Sequence, residues 1–369
     1  MTALAEAPSA APPPAPPAVP AQQLAAGRRV DALDGVRAIG VTTVVTIHAL
    51  PASSFPGAVG VDVFFVVSGY LITTLLLAEK ARYGDISVPR FWARRFLRIA
   101  PPLLFMLAAL YPLGHALVGD DYLPRALLAG EFRSNLALTV QRVSISPLDH
   151  TWSLGQEAQF YVVWPLLLVA LLALRVPRPV LAAACAAGTA WCFHALHVVQ
   201  THSPTPTDDF RLDGRGGGLL AGCALAFLLS WRRQLLALPG LAEAGLVLLL
   251  GMYAYGCLVE RVPLQTSVPV AVVAAVLLVG GLLGRARGPA SWLLALPPVV
   301  FVGRISYSLY LWHYVFFRAF EKRPDLSQAL VLVLEVTFAV AAAAMSFTVI
   351  EQPIARWSAR RLHRGGSHR

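Results

Sequence analysis

Two ionisable residues, Arg37 and His48, lie in one apolar stretch near the beginning of the sequence. They are eleven residues apart, which is almost three turns of an α-helix, so both would project from one face, about 16 Å apart along the axis. Histidine titrates near neutral pH and suits general-base catalysis, whereas arginine is a permanent cation that binds anions. Ionisable residues within a membrane span are functional candidates. The alternatives are a histidine that packs between helices and an arginine that reaches the membrane surface.

A basic cluster follows in the segment SVPRFWARRFLRIAPP, which carries Arg94, Arg95 and Arg98. Guanidinium groups match the geometry of phosphate oxygens, so the cluster predicts a clamp for a phosphorylated ligand. Basic residues also anchor cytoplasmic loops at the membrane surface. The sequence leaves both interpretations open.

Two carboxylates also lie in apolar surroundings. Asp62 stands in GVDVFFVVSGYLIT, and Glu157 stands in HTWSLGQEAQFYVVWP close to Trp152. A carboxylate inside a membrane needs a partner in the protein, and His48 or an arginine could pair with Asp62. Ser68 precedes a glycine, which permits close approach of another backbone, either at a ligand site or in simple helix packing.

Three later apolar segments carry further candidates. They are RLDGRGGGLLAG with Arg211 and Arg215, GRISYSLYLWHYVFF with Tyr307 and His313, and VIEQPIARW with Glu351. The four cysteines lie in apolar runs without the CxxC spacing of a metal site. We therefore interpret them as core residues and expect no metal.

The elements that position these residues are predicted to be membrane-spanning helices. The chain has 369 residues, of which 57% are hydrophobic and 14% charged, whereas a soluble domain has about 25% charged residues. Ten apolar segments are long enough, or nearly so, to cross a hydrocarbon core of about 30 Å. They are residues 34–51, 58–79, 99–118, 157–174, 179–199, 214–231, 240–259, 267–284, 297–320 and 326–350. The predicted fold is an all-α, multi-pass bundle in the cell membrane.

Loop charges predict the orientation of this bundle. With a cytoplasmic amino terminus, arginines and lysines concentrate in successive cytoplasmic loops, as the positive-inside rule requires. We place the segment 123–142 at the outer surface or as re-entrant, because its polar side chains are costly in lipid. Both termini are then cytoplasmic. We expect an Ala/Pro-rich disordered tail over 1–29, a membrane domain over 30–355, a basic tail over 356–369, and no appended soluble domain.

The formal net charge of the chain is +10. A basic soluble protein can bind nucleic acid, but here the positive charge lies in short loops between apolar segments. This pattern indicates membrane topology and a polyanionic ligand, and we expect no nucleic-acid partner.

Taken together, the quoted segments resemble the acyltransferase-3 family of bacterial membrane proteins. The matching pieces, in family order, are LDGVRAIG with the Arg37-x10-His48 pair, GVDVFFVVSGYLI, FWARRFLRIAP, HTWSLGQEAQFYVVWP, GRISYSLYLWH and IEQP. The resemblance implies a ten-helix bundle that moves an acyl group, often acetyl, from acyl-CoA to a hydroxyl of a carbohydrate or glycosylated molecule. It implies that Arg37 and His48 are the essential pair, that the RxxR element falls on Arg95 and Arg98, and that the motif glutamate is Glu157.

This resemblance fits a mechanism in which the charged end of acyl-CoA binds at Arg37 and the RxxR arginines. An extended pantetheine arm is comparable in length to the separation of Arg37 and His48, so the thioester would reach His48. His48 would act as general base on the acceptor hydroxyl, with Asp62 or Glu157 orienting its ring. A covalent acyl-histidine intermediate is the alternative.

The acceptor side is less sharply defined than the donor side. The residues assigned to substrate are Ser68, Trp152, Arg211, Arg215, Tyr307 and His313. Ala158 stands where the family often has a second acidic residue, and Arg211 and Arg215 compete for one family position. The acceptor is either an envelope glycan or the sugar of a secreted metabolite such as a macrolide. From other classes, the alternatives are a transporter of a sugar or lipid-linked substrate and a scaffold or receptor.

Overall fold

The structure, a computed structural model, describes residues 30–49, 59–202, 210–259, 262–284, 288–320 and 326–364. Within these ranges every regular element is helical. The predicted amino-terminal tail over 1–29 lies outside the described residues. The basic tail predicted from residue 356 begins inside a helix that continues to Arg364.

The helices follow one another along the chain with short connections. They are α1 (Asp31–Ala49), α2 (Val59–Tyr83), α3 (Val88–Ala109), α4 (Tyr111–Val118), α5 (Tyr122–Gly130), α6 (Ser134–Thr139), α7 (Trp152–Ala173), α8 (Arg178–His202), α9 (Leu212–Arg215), α10 (Gly217–Arg232), α11 (Leu241–Leu258), α12 (Leu264–Gly284), α13 (Pro289–Leu294), α14 (Pro297–Phe320), α15 (Gln328–Ser346) and α16 (Gln352–Arg364). A π-helical turn, Phe347–Glu351, joins α15 to α16.

Six stretches of helix in the described ranges are long and apolar enough to cross a membrane. They are Val59–Tyr83, Asp149–Ala173, Arg178–His202, Leu212–Leu236, Leu264–Gly284 and Gln328–Ser358. Helix α3 and the helical stretch Tyr111–Gly130 are bent by 58° and make a seventh if they form one span. The protein is thus a multi-pass, all-helical membrane protein.

The other predicted segments coincide with α1, α11 and α14. The apolar part of α11 covers only Leu241–Gly256, while α1 and α14 carry charged residues, such as Arg37 and Arg304, that lower their mean hydropathy. The count of ten spans and the orientation of the termini stay predictions. The segment 123–142 contains only the short helices α5 and α6, neither of which is long enough to span alone.

The spans fall into a central and a peripheral group. The apolar windows of α2, of the stretch containing α10, and of α12 are 61%, 72% and 67% buried, whereas those of α7, α8 and α15 are 28%, 28% and 22% buried. Protein covers the central helices on most sides, and the peripheral ones leave apolar side chains on the outside, as lipid contact requires. The amino-terminal turn and a half of the peripheral helix α7 is nonetheless covered by protein, because Trp152 and the four residues after it are buried.

Two glycines set the helix contacts that position the functional residues. A Cβ on Gly69 of α2 would overlap the carbonyl oxygen of Leu219 in α10, and a Cβ on Gly303 of α14 would overlap that of Asp34 in α1. Any larger residue would therefore push these helices apart. The first contact fits the helix-packing alternative for Gly69, while Ser68 lines a cavity.

Helix α3 departs from the predicted boundaries. It begins at Val88 rather than at residue 99, and it continues through Pro101 and Pro102. Each proline removes a backbone donor from the helix. The arginine cluster is consequently part of α3 itself.

Candidate active site

Most of the candidate site residues line two cavities that share Val61 and Tyr310 inside the helix bundle. The first, which we call the arginine cleft, has an empty volume of about 750 Å³. It is lined by Arg37, Val61, Phe64, Phe65, Val67, Ser68, Leu71, Ile72, Arg95, Arg98, Ile99, Ser153, Leu154, Glu157, Tyr161, Ser306, Tyr307 and Tyr310. Helices α1, α2, α3, α7 and α14 contribute these residues.

The three arginines enter the cleft from two helices. Arg95 lies over the rings of Phe91 and Tyr161, with its guanidinium carbon 5.7 and 5.6 Å from the ring centroids. Arg37 is 3.7 Å from the carboxylate of Asp34, one turn earlier in α1. Aromatic faces and a neighbouring carboxylate hold guanidinium groups while leaving donors for a ligand. Arg94 points elsewhere, because it pairs with Glu79 at 2.8 Å.

Glu157 belongs to the arginine cleft and not to the surroundings of His48. The Ser68 hydroxyl donates a 2.6 Å hydrogen bond to its carboxylate, and the Tyr161 hydroxyl lies 2.9 Å from that of Ser68. The expectation that Glu157 orients the His48 ring is therefore not what the geometry shows. Glu157 lies about one and a half turns further along α7 than Trp152.

Tyr307 connects α14 to the arginine helix. Its hydroxyl donates a 2.5 Å hydrogen bond to the carbonyl of Ile99, the residue after Arg98. The next residue, Ser308, donates a hydrogen bond to Glu351 in the π-helical turn. These contacts hold α3 and the π-helical turn after α15 against neighbouring residues of α14.

The second cavity, which we call the histidine chamber, has an empty volume of about 640 Å³. Its lining residues are Val44, Ile47, His48, Val61, Asp149, His150, Trp152, Phe210, Arg215, Tyr310 and Tyr314. Helix α1 thus supplies Arg37 to one cavity and His48 to the other, as their shared helix face predicts.

Two aromatic rings contact the ring of His48. The centroid of its ring is 4.8 Å from that of Tyr314 and 5.3 Å from that of His313. His313 is fully buried behind this contact, and its Nδ1 lies 2.8 Å from the carbonyl of Tyr310. His313 therefore adjoins His48 without lining the chamber itself.

Asp62 forms an ion pair with Arg215. Their closest N–O distance is 3.0 Å, and both side chains are fully buried. Of the two partners that the sequence left open, the structure thus selects an arginine and not His48. The guanidinium of Arg215 also lies 5.3 Å from the ring of Trp152, so it is enclosed by a carboxylate and an aromatic face.

The two arginines of RLDGRGGG differ in burial. Arg215 lines the chamber, whereas Arg211 is half-exposed and pairs with Asp213 through bonds of 2.9 and 2.5 Å. Four residues separate them, but α9 begins only after Arg211, so they do not share a helix face.

Tyr310 stands where the two cavities meet. Tyr310 and Val61 line both of them. The Tyr310 hydroxyl lies 2.7 Å from the Ser153 hydroxyl and donates a hydrogen bond to the carbonyl of His150. A single side chain of α14 therefore bonds to the first turn of α7 and to the 3-10 turn that precedes it.

Sequence reasoning missed three of these residues: His150, Ser153 and Tyr310. All three lie inside segments that the motif analysis quotes. Only the packing of α7 against α14 brings them together, although a histidine next to the buried end of a span is a signal that could have been used. In the described part of the chain, no group of three or more His, Cys, Asp or Glu residues is placed to hold a metal ion.

The sequence matches the model of the family described as "Acyltransferase domain" over residues 30–350. The chain belongs to the acyltransferase-3 family. This match confirms the resemblance inferred from the six ordered segments. No solved structure matches the chain.

The chain is similar to three curated bacterial relatives. It is 30% identical over 350 residues to the peptidoglycan O-acetyltransferase OatA of Listeria monocytogenes, covering 88% of this chain and 56% of the relative. It is 29% identical over 360 residues to the O-acetyltransferase OatA of Staphylococcus aureus, covering 89% and 57%. The putative peptidoglycan O-acetyltransferase YrhL of Bacillus subtilis is also 29% identical, with 89% and 55% covered. The chain thus spans a little over half the length of these relatives.

Proposed function

We propose that this protein transfers an acetyl or other short acyl group from acyl-CoA to a hydroxyl of a carbohydrate or glycosylated acceptor. One observation carries the proposal: α1 places Arg37 in a cationic cleft and His48 in an adjoining chamber, and the two cavities meet at Tyr310. A molecule with a polyphosphate end and a long neutral arm would bind the arginines of the cleft through its phosphates and present its thioester near the chamber.

The chemistry requires one base. His48 accepts the proton of the acceptor hydroxyl as its oxygen attacks the thioester carbonyl, and the carbon–sulfur bond then breaks. The proton passes from His48 to the departing CoA thiolate, so the ring ends in its starting form. The rings of His313 and Tyr314 contact the imidazole of His48 and orient it. The sequence alone assigned this orienting role to Asp62 or Glu157.

The membrane topology belongs to the same proposal. In a ten-span bundle with cytoplasmic termini, the arginine cleft faces the cytoplasm, where acyl-CoA is made available, and the chamber lies toward the outer side. The basic residues at the start of α3 support this orientation. The names of the relatives favour an envelope glycan as acceptor over the sugar of a macrolide-type metabolite.

The test is turnover of radiolabelled acetyl-CoA by the purified protein in detergent, with soluble glycans as acceptors. We expect His48→Ala to lower the transfer rate by about 10²- to 10⁴-fold while CoA still binds. His194→Ala, a histidine on the exposed face of α8, is the matched control. Equal rates in wild type and His48→Ala would refute the base, and glycan uptake into vesicles without turnover would instead support a transporter.

A further inference from the structure

His150 is a buried histidine for which the proposed reaction has so far given no role. It is only 5% exposed, and it lies in the short 3-10 turn Asp149–Thr151 immediately before α7. Its ring lines the histidine chamber together with His48 and Arg215. The ring of Tyr314, which contacts His48, also contacts His150, with centroids 5.0 Å apart.

The hydrogen bonds of His150 determine which nitrogen carries its proton. Nε2 lies 3.1 Å from the carbonyl oxygen of Leu311 in α14. Because a carbonyl only accepts, Nε2 must be the donor, and the neutral ring then has its lone pair on Nδ1. Among the described residues, no group forms a hydrogen bond with Nδ1. A buried acceptor without a donor is unfavourable, and a ligand that supplies the donor removes that penalty.

The walls of the chamber indicate what kind of ligand supplies the donor. Trp152, Phe210 and Tyr314 present aromatic surface, and Arg215 adds a guanidinium. Aromatic surface beside a few placed polar groups suits a ring that is apolar on its faces and carries hydroxyls on its edge. A saccharide has this character.

We propose that Nδ1 of His150 accepts a hydrogen bond from the saccharide acceptor and thereby orients it toward His48. This inference rests on the proposed function. A hydroxyl has one hydrogen, and the reacting hydroxyl must direct it to His48. His150 therefore binds a second donor of the same acceptor, either a hydroxyl or an amide N–H, and selects acceptors that carry such a group beside the reacting hydroxyl.

Two substitutions separate this role from a purely structural one. His150→Asn places an amide oxygen near the position of Nδ1 but cannot reach Leu311. His150→Gln keeps a donor near the position of Nε2 but has no acceptor at Nδ1. We expect the KM for soluble peptidoglycan fragments to rise about tenfold in the Gln variant, and less in the Asn variant, while the KM for acetyl-CoA is unchanged in both. His194→Asn and His194→Gln are the matched controls and should leave both KM values unchanged.

Two other results would overturn the inference. A larger loss in the Asn variant than in the Gln variant would overturn the inference, because the bond to Leu311 would then be the important one. Wild-type protein that turns over acetyl-CoA but neither binds nor acylates the fragments would also overturn it.

Absence of acyl-CoA turnover in the wild type would instead refute the proposed function. Binding of the fragments alone, followed by tryptophan fluorescence, then decides about His150. Weaker binding in the Gln variant than in the Asn variant supports the inference, and equal binding in the two overturns it.

Discussion

The arginine cleft and the histidine chamber are built largely from the same helices, but they differ in charge. Both contain residues of α1, α2, α7 and α14. The cleft sets three arginines against the carboxylate of Glu157. In the chamber the guanidinium of Arg215 is paired with Asp62, and the carboxylate of Asp149 accepts hydrogen bonds from its own loop. Histidine and aromatic rings form most of the remaining wall.

The difference comes from the helices that the two cavities do not share. Helix α3 contributes only to the cleft and brings Arg95 and Arg98, whereas α9 contributes only to the chamber and brings an arginine that is already neutralised. One scaffold can therefore bind a polyanion at one end and an uncharged ring at the other. The comparison can be tested by changing the charge of each cavity in turn.

The largest expected effect is on stability, when the ion pair of the chamber is broken. Arg215→Met leaves the Asp62 carboxylate buried without its cation, which should cost about 3–5 kcal/mol of the free energy of unfolding. Thermal unfolding in detergent measures the loss. The double variant Asp62→Leu/Arg215→Met should recover part of it, because no buried charge then remains.

Arg211→Met is the control for this prediction, since that side chain is half-exposed and its ion pair is worth at most about 1 kcal/mol. Equal losses of stability for the variants of Arg211 and Arg215 would mean that the buried ion pair stabilises the protein no more than the half-exposed one.

The next effect concerns the charge of the cleft. Arg95→Ala removes a guanidinium that we expect to bind the phosphates of CoA, so the dissociation constant for CoA should rise about 10- to 100-fold, as for the loss of a charged hydrogen bond. Calorimetric titration with CoA measures it. Added salt should weaken CoA binding to the wild type.

Arg94→Ala is the neighbouring control. Its guanidinium pairs with Glu79 and does not line the cleft, so CoA binding should stay close to that of the wild type. If both variants lose the same affinity, the cluster acts through its overall charge and not through the cleft.

The smallest expected effects come from removing one tyrosine hydroxyl at each cavity. Tyr310→Phe removes the hydroxyl that donates to the carbonyl of His150, and Tyr307→Phe removes the one that donates to Ile99 beside Arg98. Each should cost about 1 kcal/mol of stability. Tyr310→Phe should raise the KM of the acceptor, and Tyr307→Phe the dissociation constant of CoA. The same change in both constants for both variants would show that the cavities are not separable.

Local patterns in the sequence predicted the helices well where the apolar run and the helix coincide. Segment 297–320 corresponds to α14 at both ends. Helix α3 was predicted too short, because its first three turns are basic and amphipathic and a search for apolar runs passes over them. The shared face of Arg37 and His48 follows from helical periodicity alone, so no tertiary information was needed to place them on one helix side.

The sequence by itself determined the fold class, the family and the residue types available for acyl transfer, because hydropathy, helical period and motif order are properties of the chain. Only the tertiary structure decided which of those residues meet. Asp62 pairs with Arg215, Glu157 lies among the arginines, and His150 faces the chamber, since each outcome depends on how α2, α7 and α14 pack at particular depths. A carboxylate, a histidine or an arginine carries no local signal of its partner, because that partner lies on another helix far away in the sequence.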